Sequence, residues 1–204
     1  MPEFYEKYWD HTSESLGDFS LKWPKLSGFI PRQPGVSILD LGCGKGEIIG
    51  AIAKINVGAS YIGLDVSRTA IDYARQKYPN VKFEKIEDGE KFPLMDSSVD
   101  FIFSSEVIEH IYNTENAFRE MSRVLRPGGE VLLTTPHHGL IKNLILVLFG
   151  FDKHFNPTSP HVRFFSKKSL FSLLRQSGFE ILKHGYYGRF YPVSHSIFVL
   201  AKKK

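Results

Sequence analysis

Cysteine is almost missing from this chain. Cys43 stands alone, so no internal disulfide can hold the fold together, and that usage fits a reducing compartment. Long apolar runs are missing too: the most apolar stretch, residues 140–151, falls short of the roughly 20 residues that span a bilayer. The opening residues Met1-Pro2-Glu3-Phe4-Tyr5-Glu6 are polar and acidic and carry no signal-peptide pattern, so a cytoplasmic location is expected. There is no internal repeat and no low-complexity segment. Nor is there a basic stripe for nucleic acid, because the lysines are scattered and the net charge of +4 owes much to Lys202-Lys203-Lys204. With 204 residues, 42% of them hydrophobic, the chain suits one domain that buries its own core.

What is present is an alternation of short apolar runs and helical patterns, which predicts βαβ units and a parallel sheet. Runs at 36–41, 60–64, 81–86, 99–104 and 130–135 read as strands. Helices are expected at 45–55, from the cap Ser67 to about residue 78, and through Ala117, Met121, Val124 and Leu125. The turn Pro127-Gly128-Gly129 feeds the fifth strand. After it the pattern breaks, and 137–163 holds the apolar run together with the loop signals Asn156-Pro157 and Ser159-Pro160. A helix at 167–177 and an antiparallel hairpin, 179–186 with 196–202, come next. Residues 1–34 read as a helical, aromatic cap that includes Tyr5, Tyr8 and Trp9. The predicted fold is α/β, a Rossmann-like, seven-stranded, mostly parallel sheet with a C-terminal antiparallel hairpin and helices on both faces.

The most informative residues are Ser37-Ile38-Leu39-Asp40-Leu41-Gly42-Cys43-Gly44-Lys45-Gly46. A strand, an acid, a glycine turn and a helix start build a nucleotide-sized crevice at the carboxyl edge of a parallel sheet. A dinucleotide fingerprint would need a further glycine where this chain has Glu47. Asp40 and Glu47 also put carboxylates on both sides of the turn, which would repel a pyrophosphate and suit a positively charged ligand. A nicotinamide-dependent reductase is therefore disfavoured.

These residues resemble motif I of the class I S-adenosylmethionine-dependent methyltransferases, of the type 11 domain. The resemblance is close over 36–135 and continues in Asp65, in Asp88-Gly89, in 96–100 and in Arg126-Pro127-Gly128-Gly129. It implies S-adenosylmethionine as cofactor, held by Asp40, Gly42, Cys43 and Gly44, by Asp65 and Val66, by Asp88 and Gly89, and by Ser104 and Ser105. In the family the acid at Asp65 accepts from ribose hydroxyls and the one at Asp88 from the adenine amino group. The implied organisation is one methyltransferase domain over 1–204. A cap spans 1–34, a cofactor-binding core 36–135, an acceptor-side insertion 137–163, and a helix and hairpin 164–204.

Glu106-Val107-Ile108-Glu109-His110 follows the fourth strand. If helical, it brings Glu106, Glu109 and His110 to one face, a set able to hold Mg²⁺ or another divalent metal. This E-x-x-E-H pattern resembles O-methyltransferases of ubiquinone biosynthesis and small-RNA 2′-O-methyltransferases. Without metal, His110 with Glu109 is the expected catalytic pair, His110 acting as base or substrate contact. His137, His138 or His161 could supply a fourth metal ligand, and with Arg163 they are candidate acceptor contacts. The expected acceptor is a small molecule or an amphiphile (a quinone precursor, a lipid or a sugar), methylated at oxygen. Residues 140–151 are expected either as a buried cap helix or as a lid resting on a membrane surface. Two other functions are open, a metal-dependent RNA 2′-O-methyltransferase and a non-catalytic cofactor-binding partner subunit. The first lacks an RNA-binding surface, and the intact Gly42, Gly44, Asp65 and Asp88 weigh against the second.

Overall fold

A computed structural model describes residues 2–11, 19–156 and 159–204. Residues 12–18, inside the predicted cap, and Pro157 of the Asn156-Pro157 signal lie outside the described residues. The sheet has seven strands in the order β3-β2-β1-β4-β5-β7-β6. They are β1 (Ser37–Leu41), β2 (Ser60–Asp65), β3 (Lys82–Lys85), β4 (Val99–Ser105), β5 (Leu125–Pro136), β6 (Phe179–Tyr187) and β7 (Ser196–Lys203). All neighbours run parallel except β7, which is antiparallel to both β5 and β6. The order reverses between β1 and β4, and such a reversal opens a crevice at the carboxyl ends of the strands. This is the Rossmann-like arrangement predicted from the alternation of runs.

Strand side chains alternate between two cores. Leu39 and Leu41 of β1, Ile102 of β4, Val131 and Leu133 of β5 and Val199 of β7 pack on one face against Phe118, Met121 and Val124 of α5 (Thr114–Val124) and Leu170 and Leu174 of α8 (Lys167–Gln176). Ile38, Phe101, Phe103, Leu132 and Phe198 meet Ile48, Ile49 and Ile52 of α3 (Glu47–Ile55), Ile71 of α4 (Arg68–Lys77) and Leu26 of α2 (Phe19–Leu26) on the other. The period of two along each strand divides the sheet's apolar residues between the two layers.

Helix starts follow local chemistry. Ser67 caps α4 by accepting from the Ala70 N–H, Asn113 caps α5, and Ser166 with Ser169 forms a reciprocal capping box for α8. β5 begins earlier than the sequence suggests, because Leu125 pairs with Val99 and the Pro-Gly-Gly turn forms an irregularity inside the strand. The insertion forms α6 (Leu140–Phe149) and α7 (Phe151–His154). No α6 side chain is buried, so it is not the buried cap helix that its composition suggested. No described helix is long and apolar enough to cross a membrane.

Helix α1 (Pro2–His11) straps across the start of α4 through Glu6. Its carboxylate accepts from the backbone N–H of Arg68 (2.7 Å) and Thr69 (2.9 Å) and from Ser67 Oγ (2.9 Å). Partial burial would raise its pKa, but these donors at a helix N-terminus outweigh that and bring it down to about 2. A depressed folded-state pKa means that the strap's contribution is complete above about pH 4.5 and is lost as pH falls towards 2. We expect a tryptophan fluorescence change over that range, reporting release of Trp9, and its absence in Glu6→Gln. An identical acid titration in both proteins would show that Glu6 does not hold the strap.

Candidate active site

The chain turns from β1 into α3 through Gly42, Gly44 and Gly46, all at positive φ (75°, 51° and 83°). At Gly44 the conformation and the space both demand glycine, since a Cβ would lie 2.5 Å from the Trp9 ring of α1. The turn is fixed from β2. The N–H groups of Gly42 and Cys43 donate to the Leu64 carbonyl, at 2.7 and 3.0 Å. Asp65 accepts from the Gly44 N–H on Oδ2 (2.8 Å) and from the Ser67 N–H on Oδ1 (2.9 Å). Burial raises its pKa, offset in part by those donors. Asp65 thus ties the glycine turn to the start of α4 while still facing the cavity.

Asp40 is placed differently. It is 1% exposed, lies behind the turn rather than on the cavity wall, and takes the Ile49 N–H at the start of α3, a helix with no side-chain cap of its own. Burial and then the charge of Asp65 push it up to about 7, with Lys22 pulling the other way. Lys22, a residue that no local pattern marked, is 3% exposed and donates to Ser105 Oγ at 2.9 Å. Ser105 bonds Thr134 Oγ1, which donates to Glu106 Oε1, a carboxylate oxygen that also accepts from the Tyr187 hydroxyl.

These groups border a cavity of about 880 Å³ that runs along the carboxyl edge of the sheet. On the side of the glycine turn lie Gly42, Cys43, Gly44, Glu47, Asp65, Val66, Asp88 and Gly89, with Asn116, which donates to the Gly89 carbonyl. Burial drives the Cys43 thiol well above its usual pKa, so it packs as an inert group. Ser105 lines the cavity, whereas Ser104 is buried outside it. Tyr5, Tyr8 and Trp9 of α1 close one flank.

On the opposite side the E-x-x-E-H segment is not a helix face. Only residues Ile108–His110 form a single 3-10 turn, and Glu106 sits at φ 56°, a left-handed conformation that non-glycine residues rarely take. That twist turns Glu106 back on to the sheet, where Thr134, Tyr187 and Ser196 hold it. The trio Glu106, Glu109 and His110 is therefore not assembled as its spacing suggested. His161 takes the place of Glu106, and ligand atoms of Glu109, His110 and His161 lie within 4.8 Å of one another. Glu109 is 1% exposed. Its Oε2 accepts from Thr135, its Oε1 has no hydrogen-bond partner, and burial, reinforced by the charge of Glu106, raises its pKa well above the carboxylate range. His110 places Nδ1 3.0 Å from the Pro160 carbonyl, and burial lowers its pKa.

The remaining acceptor-side residues divide. His138 and His161 line the cavity, and burial brings His138 down to about 4. His137 is buried against Ser194 outside the cavity wall, and Arg163 is exposed, donating to the Tyr112 carbonyl. Lys142, Asn116, His154, Arg189 and His195 also line the cavity, and sequence spacing did not single them out.

A family model described as a methyltransferase domain matches residues 39–133, the glycine turn through β5. A probable S-adenosylmethionine-dependent methyltransferase of Mycolicibacterium smegmatis is 36% identical over 150 residues, covering 74% of this chain and 54% of that protein. The chain belongs to the class I S-adenosylmethionine-dependent methyltransferases. A malonyl-(acyl-carrier protein) O-methyltransferase of Marinomonas sp. is 26% identical, with 86% of this chain and 66% of that protein covered. Among solved structures, an Aquifex aeolicus S-adenosylmethionine-dependent methyltransferase superposes with a TM-score of 0.74 over 100% of this chain and 99% of its own, at 18% identity. This methyltransferase chain spans about half the length of the M. smegmatis relative.

The residues present fit the family's cofactor. The left-handed glycine turn brings backbone, without side chains, to the cavity edge. The acids bordering it suit a sulfonium and an ammonium, and Asp65 retains lone pairs for hydroxyl donors. Asp65→Ala is expected to weaken binding of the cofactor and its demethylated product by roughly 1.5–3 kcal/mol, about 10- to 150-fold. Calorimetry on the folded variant would show this, with no heat for NAD in either protein; unchanged affinity would reduce Asp65 to a cap for α4.

Proposed function

We propose that this protein transfers a methyl group from S-adenosylmethionine to a hydroxyl of a small or amphiphilic acceptor, with His110 as general base. The reading treats residues 1–204 as one methyltransferase domain and places it in the cytoplasm, where a lone, buried Cys43 stays reduced. One observation carries it. A carbonyl can only accept, so the Pro160 contact puts the His110 proton on Nδ1 and leaves a lone pair on Nε2 of a residue that lines the same cavity as the glycine turn. When bound, the cofactor supplies a methyl already activated on sulfur, so the protein's task is alignment and proton removal. The acceptor hydroxyl gives its proton to Nε2 while its oxygen takes the methyl. Glu109, favoured as the neutral acid by burial, adds no competing negative charge 3.8 Å from Nε2. Tyr5, with its ring 5.9 Å from that of His110, helps to exclude water. The relative named as an O-methyltransferase supports oxygen as the target.

A second reading rests on the convergence of Glu109, His110 and His161. The unpartnered Glu109 Oε1 and two imidazoles would suit a transition metal better than Mg²⁺, and a metal there would acidify the same hydroxyl. Turnover with a labelled methyl donor, screened over acceptor classes with and without chelator, separates the two. For the base reading, chelator has no effect and His110→Ala loses about 10²- to 10⁴-fold. Because burial lowers the His110 pKa, the acidic limb of kcat/KM should lie below pH 6.5 and vanish in that variant. Loss of activity with chelator and recovery with added metal would favour the metal site, and full activity in His110→Ala would exclude both.

A further inference from the structure

Helix α6 turns its apolar residues outward. Leu140, Leu148 and Phe149 are 85%, 64% and 84% exposed, and Ile141, Leu144, Ile145, Val147 and Phe151 are exposed with them. Across the same rim, in the loop between β6 and β7, Phe190 and Tyr191 are 77% and 66% exposed. The two elements are joined. Lys142 of α6 donates to the carbonyls of His137, Ser194 and His195, and the Tyr191 ring stacks against that of His137. The cavity passes between them, with Lys142, Leu146 and His154 on one side and Arg189 and Val193 on the other.

The charge pattern selects what covers this face. Residues 137–151 contain no acid and one cation, Lys142, whose ammonium is taken up by backbone carbonyls; residues 186–196 contain no acid and one exposed cation, Arg189, and the exposed Asp152 follows the apolar run. From Leu144 to Phe149 every side chain is aliphatic or aromatic. A folded protein partner is met by an apolar centre inside a rim of hydrogen-bonding groups, and α6 beyond Asn143 offers none. An exposed apolar patch of this kind, edged by the exposed Arg189 and by aromatic rings, matches the boundary between headgroups and acyl chains.

We infer that α6, together with Phe190 and Tyr191, docks on a lipid bilayer carrying anionic headgroups. The mouth of the cavity then opens at the membrane surface. If the proposed methyl transfer holds, an amphiphilic acceptor could enter from the lipid without crossing water. Docking itself does not depend on that transfer.

The test is flotation of the protein with vesicles of phosphatidylcholine alone or mixed with phosphatidylglycerol. Light scattering of the free protein and calorimetry with S-adenosylhomocysteine accompany it. We expect co-flotation with the mixed vesicles, weaker with phosphatidylcholine alone. It should be lost in the double variant Leu144→Glu/Leu148→Glu. Neither residue lines the cavity, so cofactor affinity should be unchanged. No flotation of the parent, or equal flotation of parent and variant, would overturn the inference. So would a parental dimer that the double variant converts to monomer without any vesicle binding, which would assign the face to a second copy of the chain. Failure of cofactor binding in both proteins would count against the methyltransferase reading alone.

Discussion

The Asp65 carboxylate accepts the Gly44 N–H with one oxygen and the Ser67 N–H with the other, and the glycine-turn edge of the cavity depends on that pair of bonds. It lies where β2 ends, beside the point at which strand order reverses. One bond fixes a glycine turn whose left-handed residues have no side chains to anchor them. The other fixes the residue that caps α4, and Glu6 of α1 bonds the same helix start. Strand end, glycine turn and helix cap therefore share one buried anion, and the N-terminal strap meets the same helix start through its own carboxylate. The desolvation of Asp65 is offset by backbone donors, the arrangement that makes a buried carboxylate tolerable.

The opposite half of the cavity is organised by a different balance. Three acids, Asp40, Asp65 and Glu109, are almost fully buried along one edge, and among the described residues the lysine buried with them is Lys22. Lys22 reaches Ser105 and lowers the pKa of both Asp40 and Glu109. The Ser105–Thr134–Glu106–Tyr187 chain carries this polar layer across β4, β5 and β6. By accepting from Thr134, Tyr187 and Ser196, Glu106 leaves Glu109 and His110 to face His161. The same twist that removes Glu106 from the expected cluster completes the hydrogen bonding at the sheet's end.

Much of this could be read along the chain. Period-two apolar runs separated by helical patterns gave the parallel sheet, and Ser67 marked the start of α4. The G-x-G-x-G turn with Glu47 in place of a further glycine distinguished a positively charged ligand from a dinucleotide. The acid at 65 stood out by its place at the end of the second strand, beyond the glycine turn; its bonds to that turn and to the start of the following helix came from the structure. Less legible was the E-x-x-E-H segment. Its spacing assumes a helix, and its actual path depends on a left-handed Glu106 stabilised by residues 28, 81 and 90 positions away.

The sequence by itself determined the layered fold, the glycine turn at the sheet's carboxyl edge and the family, because those follow from local periodicity, turn chemistry and contacts between successive βα units. Tertiary structure alone decided three further matters: that Lys22 is the buried counter-charge, that of the candidate histidines it is His161 that joins Glu109 and His110 while Glu106 leaves them, and that the apolar α6 faces outward. Each is settled by long-range packing. Lys22 meets Ser105 across 83 residues, His110 is aligned by Pro160 across 50, and Lys142 pins α6 to carbonyls as many as 53 residues away. Composition can say that a helix is apolar. Which side of it finds a neighbour is decided only when the sheet's edge is built.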